Sequence, residues 1–92
     1  MMMPGSEVFR LKDQQGVPIS MTIGTCILRD VPIEWPSFIE AARAASWYDF
    51  QTLAQLKAAF ADADVGDVYT NGVISRFKRY VLAFPHPCLE QS

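Results

Sequence analysis

The sequence predicts a mainly α-helical fold, a compact bundle of three to four short helices. From residue 34 onward, apolar residues recur every three or four positions, which is the period of a helix with one buried face. Half of the 92 residues are hydrophobic, and the chain has room for one core. The sequence shows no internal repeat. We therefore expect a disordered leader at residues 1–6, a single globular domain at 7–84 and a flexible tail at 85–92.

The first third of the chain is compatible with two structures. Residues 7–19 can form a strand, a turn and a second strand, so the alternative fold is α+β with an N-terminal β-hairpin at 7–23. Residues 17–28 either alternate as a strand or form a helix with Pro18 in its first turn. We favour the helix there, because a lone hairpin is only marginally stable.

Two further helices are predicted in the middle of the chain. Residues 34–46 have a helical apolar period. Ser46 followed by Asp49 resembles a capping box, so the next helix is predicted to begin near Trp47 and to end at about Ala61. Its apolar stripe consists of Phe50, Leu53, Leu56 and Phe60.

The last predicted element is a helix over residues 68–84, which Pro85 ends. The alternative is a β-hairpin with Asn71-Gly72 at its tip, a strong signal for a two-residue turn. Alternation fails after this turn, because neither face of the second strand would be apolar. We therefore favour the helix.

The formal net charge of −2 conceals an uneven distribution. Residues 49–67 contain four acids and one base, whereas residues 68–84 contain the bases Arg76, Lys78 and Arg79 and no acid. In one interpretation the acids and bases complement the dipole of a single helix. In the other, the three bases form a binding face.

The sequence lacks the usual signatures of catalysis and of cofactor binding. His86 and Cys88 form the only His/Cys pair, and zinc sites need three or four ligands at regular spacing. The spacing of Asp62, Asp64 and Asp67 does not match a calcium loop. We expect a protein that is not an enzyme and binds neither metal nor cofactor.

The cysteine usage and the hydropathy indicate a cytoplasmic protein without a membrane partner. Cys26 and Cys88 are far apart in the chain and are expected to be free thiols. No segment has the roughly 20 apolar residues of a membrane-spanning helix.

Two stretches resemble known nucleic-acid-associated proteins. Residues 52–57, an acidic turn and residues 73–80 resemble a helix-turn-helix, in which the basic residues of 73–80 would contact DNA. Residues 50–64 are similar to the second helix and turn of HigB-type toxins, ribosome-associated mRNA-cleaving proteins of toxin–antitoxin pairs. The resemblance implies a fragment of an mRNA interferase. In that family a sheet follows this segment and carries catalytic residues, and no catalytic residue is assigned in this chain.

The functional prediction that we favour is binding to another protein. The chain contains more tryptophan and tyrosine than so small a core easily buries, and these residue types are enriched at interface centres. The candidate binding residues are therefore Trp35, Trp47, Tyr48, Tyr69, Arg76, Lys78 and Arg79. This profile is typical of an inhibitor or adaptor of phage or mobile-element type that binds a larger protein complex. A homodimer and a DNA-binding regulator are the alternatives.

Overall fold

The structure, a computed structural model, describes residues 1–85, which form five helices and one pair of very short strands. In chain order the elements are β1 (Met3–Pro4), α1 (Gly5–Gln15), α2 (Ile19–Leu28), β2 (Ile33–Glu34), α3 (Trp35–Ala44), α4 (Asp49–Ala63) and α5 (Asp67–Ala83). Strands β1 and β2 pair in parallel, with Met3 opposite Ile33. The prediction of a compact, mainly α-helical fold is confirmed. The helices number five in this part of the chain because residues 5–28 form two of them.

All five helices contribute to one hydrophobic core. Its largest fully buried side chains are those of Val8, Ile23, Phe38, Ile39, Leu56 and Phe60. The Trp35 ring packs edge-on against Phe38 and Phe60, with ring centroids 5.6 Å apart in both pairs. Such edge-to-face pairs contribute about 0.5–1.5 kcal/mol beyond the burial of their area.

The backbone follows a similar path twice, although the sequence does not repeat. In each half a short strand leads directly into a helix, which is followed by a residue with φ of 68° and then by a second helix. The residues with φ of 68° are Gly16 after α1 and Ser46 after α3. Helix α1 packs against α3, and α2 packs against α4. Within residues 1–85, α5 has no counterpart in the other half.

The first third of the chain is helical, so the alternative hairpin at 7–23 is not formed. Val8 and Phe9 of α1 are buried, and the opposite side of the helix is exposed. The favoured helix within residues 17–28 is confirmed as α2. Pro18 lies just before this helix, as its N-cap.

Residues 3–6, which we expected to belong to a disordered leader, are part of the folded domain. The N–H of Met3 donates to the carbonyl oxygen of Pro32 at 2.8 Å, which extends the contact of β1 with β2. The N–H of Ser6 donates to Ser37 Oγ at 2.9 Å and ties α1 to α3. Local sequence does not reveal such long-range hydrogen bonds. Of the predicted tail, only the exposed Pro85 lies within the described residues, and His86 and Cys88 lie outside them.

The predicted capping box of Ser46 and Asp49 is wrong. Both residues lie at the corner between α3 and α4. Ser46 is the left-handed residue of a helix-ending motif, in which the N–H of Trp47 donates to the carbonyl oxygen of Ala42 at 3.0 Å. The Asp49 carboxylate accepts hydrogen bonds from Arg43. Helix α4 is instead capped through Gln51, whose side-chain oxygen accepts from the N–H of Tyr48 at 2.8 Å.

The prediction of one helix over residues 68–84 is confirmed by α5, which has 17 residues. Asn71 and Gly72 lie inside it, so the alternative hairpin is not formed. Asp64 and Gly66, with φ of 54° and 88°, make the short turn from α4 into α5. A helix therefore follows this turn, where HigB-type toxins have a sheet.

Candidate functional site

An apolar groove of about 390 Å³ runs between α4 and α5. The N-terminal turns of α4 lie there beside the C-terminal half of α5, because the short turn at residues 64–66 sends the chain back along α4. The residues that line the groove are Asp49, Phe50, Leu53, Phe77, Lys78, Val81 and Leu82. All except Asp49 and Lys78 are apolar.

The side chains of the groove range from a buried floor to exposed edges. Phe77 is buried and forms part of the core. Phe50 on α4 is 71% exposed, and Leu82 on α5 is 82% exposed. The ring of Tyr48 stacks on Phe50, with centroids 5.7 Å apart and planes 12° apart. Contiguous exposed apolar surface of this kind is typical of binding sites.

A buried ion pair fixes the start of α4 against α3 and neutralises Asp49, the only carboxylate among residues 1–85 that lines the groove. Arg43 Nε donates to Asp49 Oδ1 at 3.1 Å, and its Nη2 donates to Oδ2 at 3.0 Å. The side chains are only 8% and 11% exposed. The hydrogen bonds to Asp49 raise the pKa of Arg43, although burial opposes them.

One lysine lines the groove, and a second lies one helical turn beyond its lining residues. Lys78 lines it from α5, and Lys57 follows Leu53 by one turn on the same side of α4. Both lysines are exposed, and neither makes an ion pair with any residue in 1–85. The groove is therefore apolar inside, with Lys78 at its border and Lys57 one turn beyond Leu53.

The predicted basic residues are all exposed on α5, but they do not form a single face. Arg76 and Lys78 are two positions apart, which places them on nearly opposite sides of a helix. Lys78 lines the α4–α5 groove, whereas Arg76 lines a separate cleft beside Trp35. None of the three bases lies in the last turn of α5, so the helix dipole accounts for Asp67 at its start but not for the bases.

The predicted aromatic residues divide between the core and the surface. Trp35 is buried, and Tyr69 is half-buried with its ring edge-on to Phe60. Trp47 is half-buried against Phe9, with ring centroids 5.1 Å apart. Only Tyr48 is an exposed neighbour of the groove.

The apolar residues at the edges of the groove are not among the candidates predicted from the sequence. Phe50 was assigned to the apolar stripe of its helix, and Leu82 belonged to no stripe. A helical wheel offers a signal for both, because each lies to one side of the stripe that its neighbours define. Together with the adjacent Tyr48, these two apolar residues outside the core stripes mark the groove.

The ionisation of the Tyr80 phenol is expected to make the stability of the domain depend on pH in the alkaline range. Its hydroxyl donates to Glu40 Oε2, and the guanidinium carbon of Arg43 lies 5.8 Å from its ring. Burial, the hydrogen bond to Glu40 and the negative charge of Glu40 raise the pKa of Tyr80 from 10.0 to about 12.

We expect this shift to stabilise the fold only while the phenol is protonated. The contribution is fully present below pH 10 and is lost as the pH rises through about 12, because the unfolded chain releases this proton first. The measurement is the free energy of unfolding in urea between these pH values. The variant Tyr80→Phe should lose this part of the decline. An equally steep decline in the variant would assign the effect to other groups.

We identify no further candidate site among the described residues. Within residues 1–85, no three His, Cys, Asp or Glu side chains are grouped as a metal site requires. Cys26 is a free, buried thiol, and burial raises its pKa, which disfavours the reactive thiolate. None of the helices in this part of the chain is both long and apolar enough to cross a membrane.

Comparison of the chain with family models, with curated proteins and with solved structures found no match.

Proposed function

We propose that this domain is a non-enzymatic accessory or inhibitory protein that acts by binding another protein in the α4–α5 groove. The observation that carries the proposal is the apolar groove itself, with Phe50 and Leu82 exposed at its edges. Burying apolar surface contributes about 25 cal/mol per Å², so a partner that covers these side chains gains free energy. Aromatic residues in such positions commonly dominate the binding energy of an interface.

The charge along α5 favours a protein over DNA as the partner. In a helix-turn-helix, the N-terminal residues of the second helix enter the major groove. Here Asp67 lies in the first turn of α5, and Asp62 and Asp64 precede it. Carboxylates at this end would repel the phosphates of DNA.

The test compares two double variants in cross-linking and affinity capture from the native cell. Phe50→Ser with Leu82→Ser removes the edges of the groove. Met21→Ser with Leu28→Ser is the matched control, because those side chains are 61% and 89% exposed on α2. Surface substitutions of this kind change stability by roughly 0.5 kcal/mol or less, so both variants should stay folded.

We expect wild type and the α2 control to capture the same protein and the groove variant to lose it. A partner that the groove variant retains would contradict the proposal. So would binding to duplex DNA at low salt without any protein partner.

A further inference from the structure

The α4–α5 groove has features that restrict the kind of segment it can bind. We propose that it receives an amphipathic helix of a different protein, whose apolar ridge is flanked by carboxylates. This inference rests on the proposed function and specifies the chemistry of its partner.

The shape of the site favours a helix as the bound element. The groove runs between two helices, and its apolar side chains come from both α4 and α5. Apolar residues at positions i, i+3, i+4 and i+7 of a bound helix match a groove of this kind. An added β-strand would need a free sheet edge, and the strands within residues 1–85 are only two residues long.

The charges select an acidic partner. Asp49, the carboxylate in the groove, is already occupied by Arg43. No carboxylate among residues 1–85 forms an ion pair with Lys57 or Lys78. Carboxylates on both sides of an incoming apolar ridge would complement them, whereas lysines in the same places would be repelled.

Neither α2 nor α5 of a second copy supplies such a ridge. Helix α2 exposes Met21, Ile27 and Leu28, but none of its ten residues is charged. On α5, the exposed Val68 and Leu82 lie at opposite ends of the helix, and its one acid, Asp67, lies beside Val68 while Leu82 lies among bases. A different protein is therefore the occupant that the charges favour.

The experiment uses labelled synthetic helical peptides with one apolar ridge and three kinds of flanking residue. In the first peptide the ridge is flanked by Glu, in the second by Gln and in the third by Lys. Fluorescence anisotropy measures the dissociation constant of each for the wild-type chain and for two variants. The charge-reversal variant is Lys57→Glu with Lys78→Glu, and the groove variant is Phe50→Ser with Leu82→Ser.

We expect the wild type to bind the Glu peptide most tightly and the Lys peptide about tenfold or more weakly, because like charges at an interface are costly. The order should reverse in the charge-reversal variant, and the groove variant should bind none of the peptides. Raising the salt from about 0.1 M to about 1 M shortens the Debye length from about 10 Å to about 3 Å and should reduce the difference between peptides.

Equal binding of the three peptides, binding of none, or an order that charge reversal leaves unchanged would overturn the inference. So would a light-scattering mass of two chains that falls to one in the groove variant, since a second copy would then be the occupant. The proposal that the groove binds a protein has its own contradicting result, which is that the groove variant still captures the native partner. Loss of that partner in the groove variant but not in the charge-reversal variant would contradict only the acidic chemistry.

Discussion

The variant Gly5→Ala is expected to lose about 3 kcal/mol or more of its free energy of unfolding. Gly5 begins α1 where that helix meets the start of α3. A Cβ atom at this position would lie 2.5 Å from the backbone nitrogen of Phe38 and even closer to the carbonyl oxygen of Glu34. Backbone atoms cannot rotate away as a side chain can, so the two helices would have to separate. Overpacking in a core typically costs 1–3 kcal/mol, with larger values where nothing can move.

The Gly5→Ala substitution is also expected to weaken the hydrogen bonding of the Glu34 side chain. Its carboxylate accepts from the hydroxyl of Ser37 and from the N–H of Ser37, the latter at 2.9 Å, and it also accepts from the backbone of Gly5. Burial would raise the pKa of Glu34, but these hydrogen bonds outweigh it and the pKa is lowered. Separation of α1 from α3 would remove the contribution of Gly5.

Urea denaturation of Gly5→Ala and of Gly24→Ala provides the measurement and its control. Gly24 lies within α2, and an added Cβ there meets nothing within 4 Å. Alanine is favoured over glycine inside a helix by about 0.5–1 kcal/mol, so Gly24→Ala should stabilise the domain. Similar small effects for the two variants would show that α1 and α3 do not approach as closely as described.

The second large effect is expected for Arg43→Ala, with a loss of about 3–5 kcal/mol. Removing one partner of a buried ion pair leaves the other charge buried and unpaired, in this case the carboxylate of Asp49. The same substitution removes the contact of the guanidinium with the ring of Tyr80. It thereby loosens α3, α4 and α5 together.

Arg10→Ala is the matched control, because Arg10 pairs with Glu7 on the surface of α1. Exposed pairs of this kind contribute about 0–1 kcal/mol. Replacing both partners of the buried pair, as in Arg43→Met with Asp49→Leu, should restore most of the lost stability, because apolar side chains tolerate this environment. Equal losses for Arg43→Ala and Arg10→Ala in urea denaturation would contradict the assigned role of the pair.

The sequence predicted those elements whose signal is local. The apolar period of residues 68–84 continued through Asn71 and Gly72 and identified α5 correctly, despite a strong turn dipeptide. The structure of residues 7–17 was harder to predict, because their short apolar runs are compatible with both the helical period and the alternation of a strand. The folding of Met3–Pro4 was not predictable in this way, since its partner Ile33–Glu34 is distant in the chain.

The candidate site was less predictable than the fold because it depends on how the helices pack. Phe50 lies beside the buried stripe of α4, and its exposure of 71% follows from how the helices pack around it. Trp35 was a candidate interface residue on composition alone and is part of the core. The sequence identifies Lys78 as an exposed cation, but the opposite wall of the groove comes from α4, far away in the sequence.

The repeated backbone path also determines how many copies of the α4–α5 groove residues 1–85 can form. The two halves of the domain, β1–α1–α2 and β2–α3–α4, are built alike, but α5 packs beside α4. Since α5 supplies one wall of the groove, residues 1–85 can form this groove only once. Through this groove, residues 1–85 are thus expected to hold one copy of the partner proposed here. Such binding would cover a site on a larger complex rather than bridge two copies of that partner.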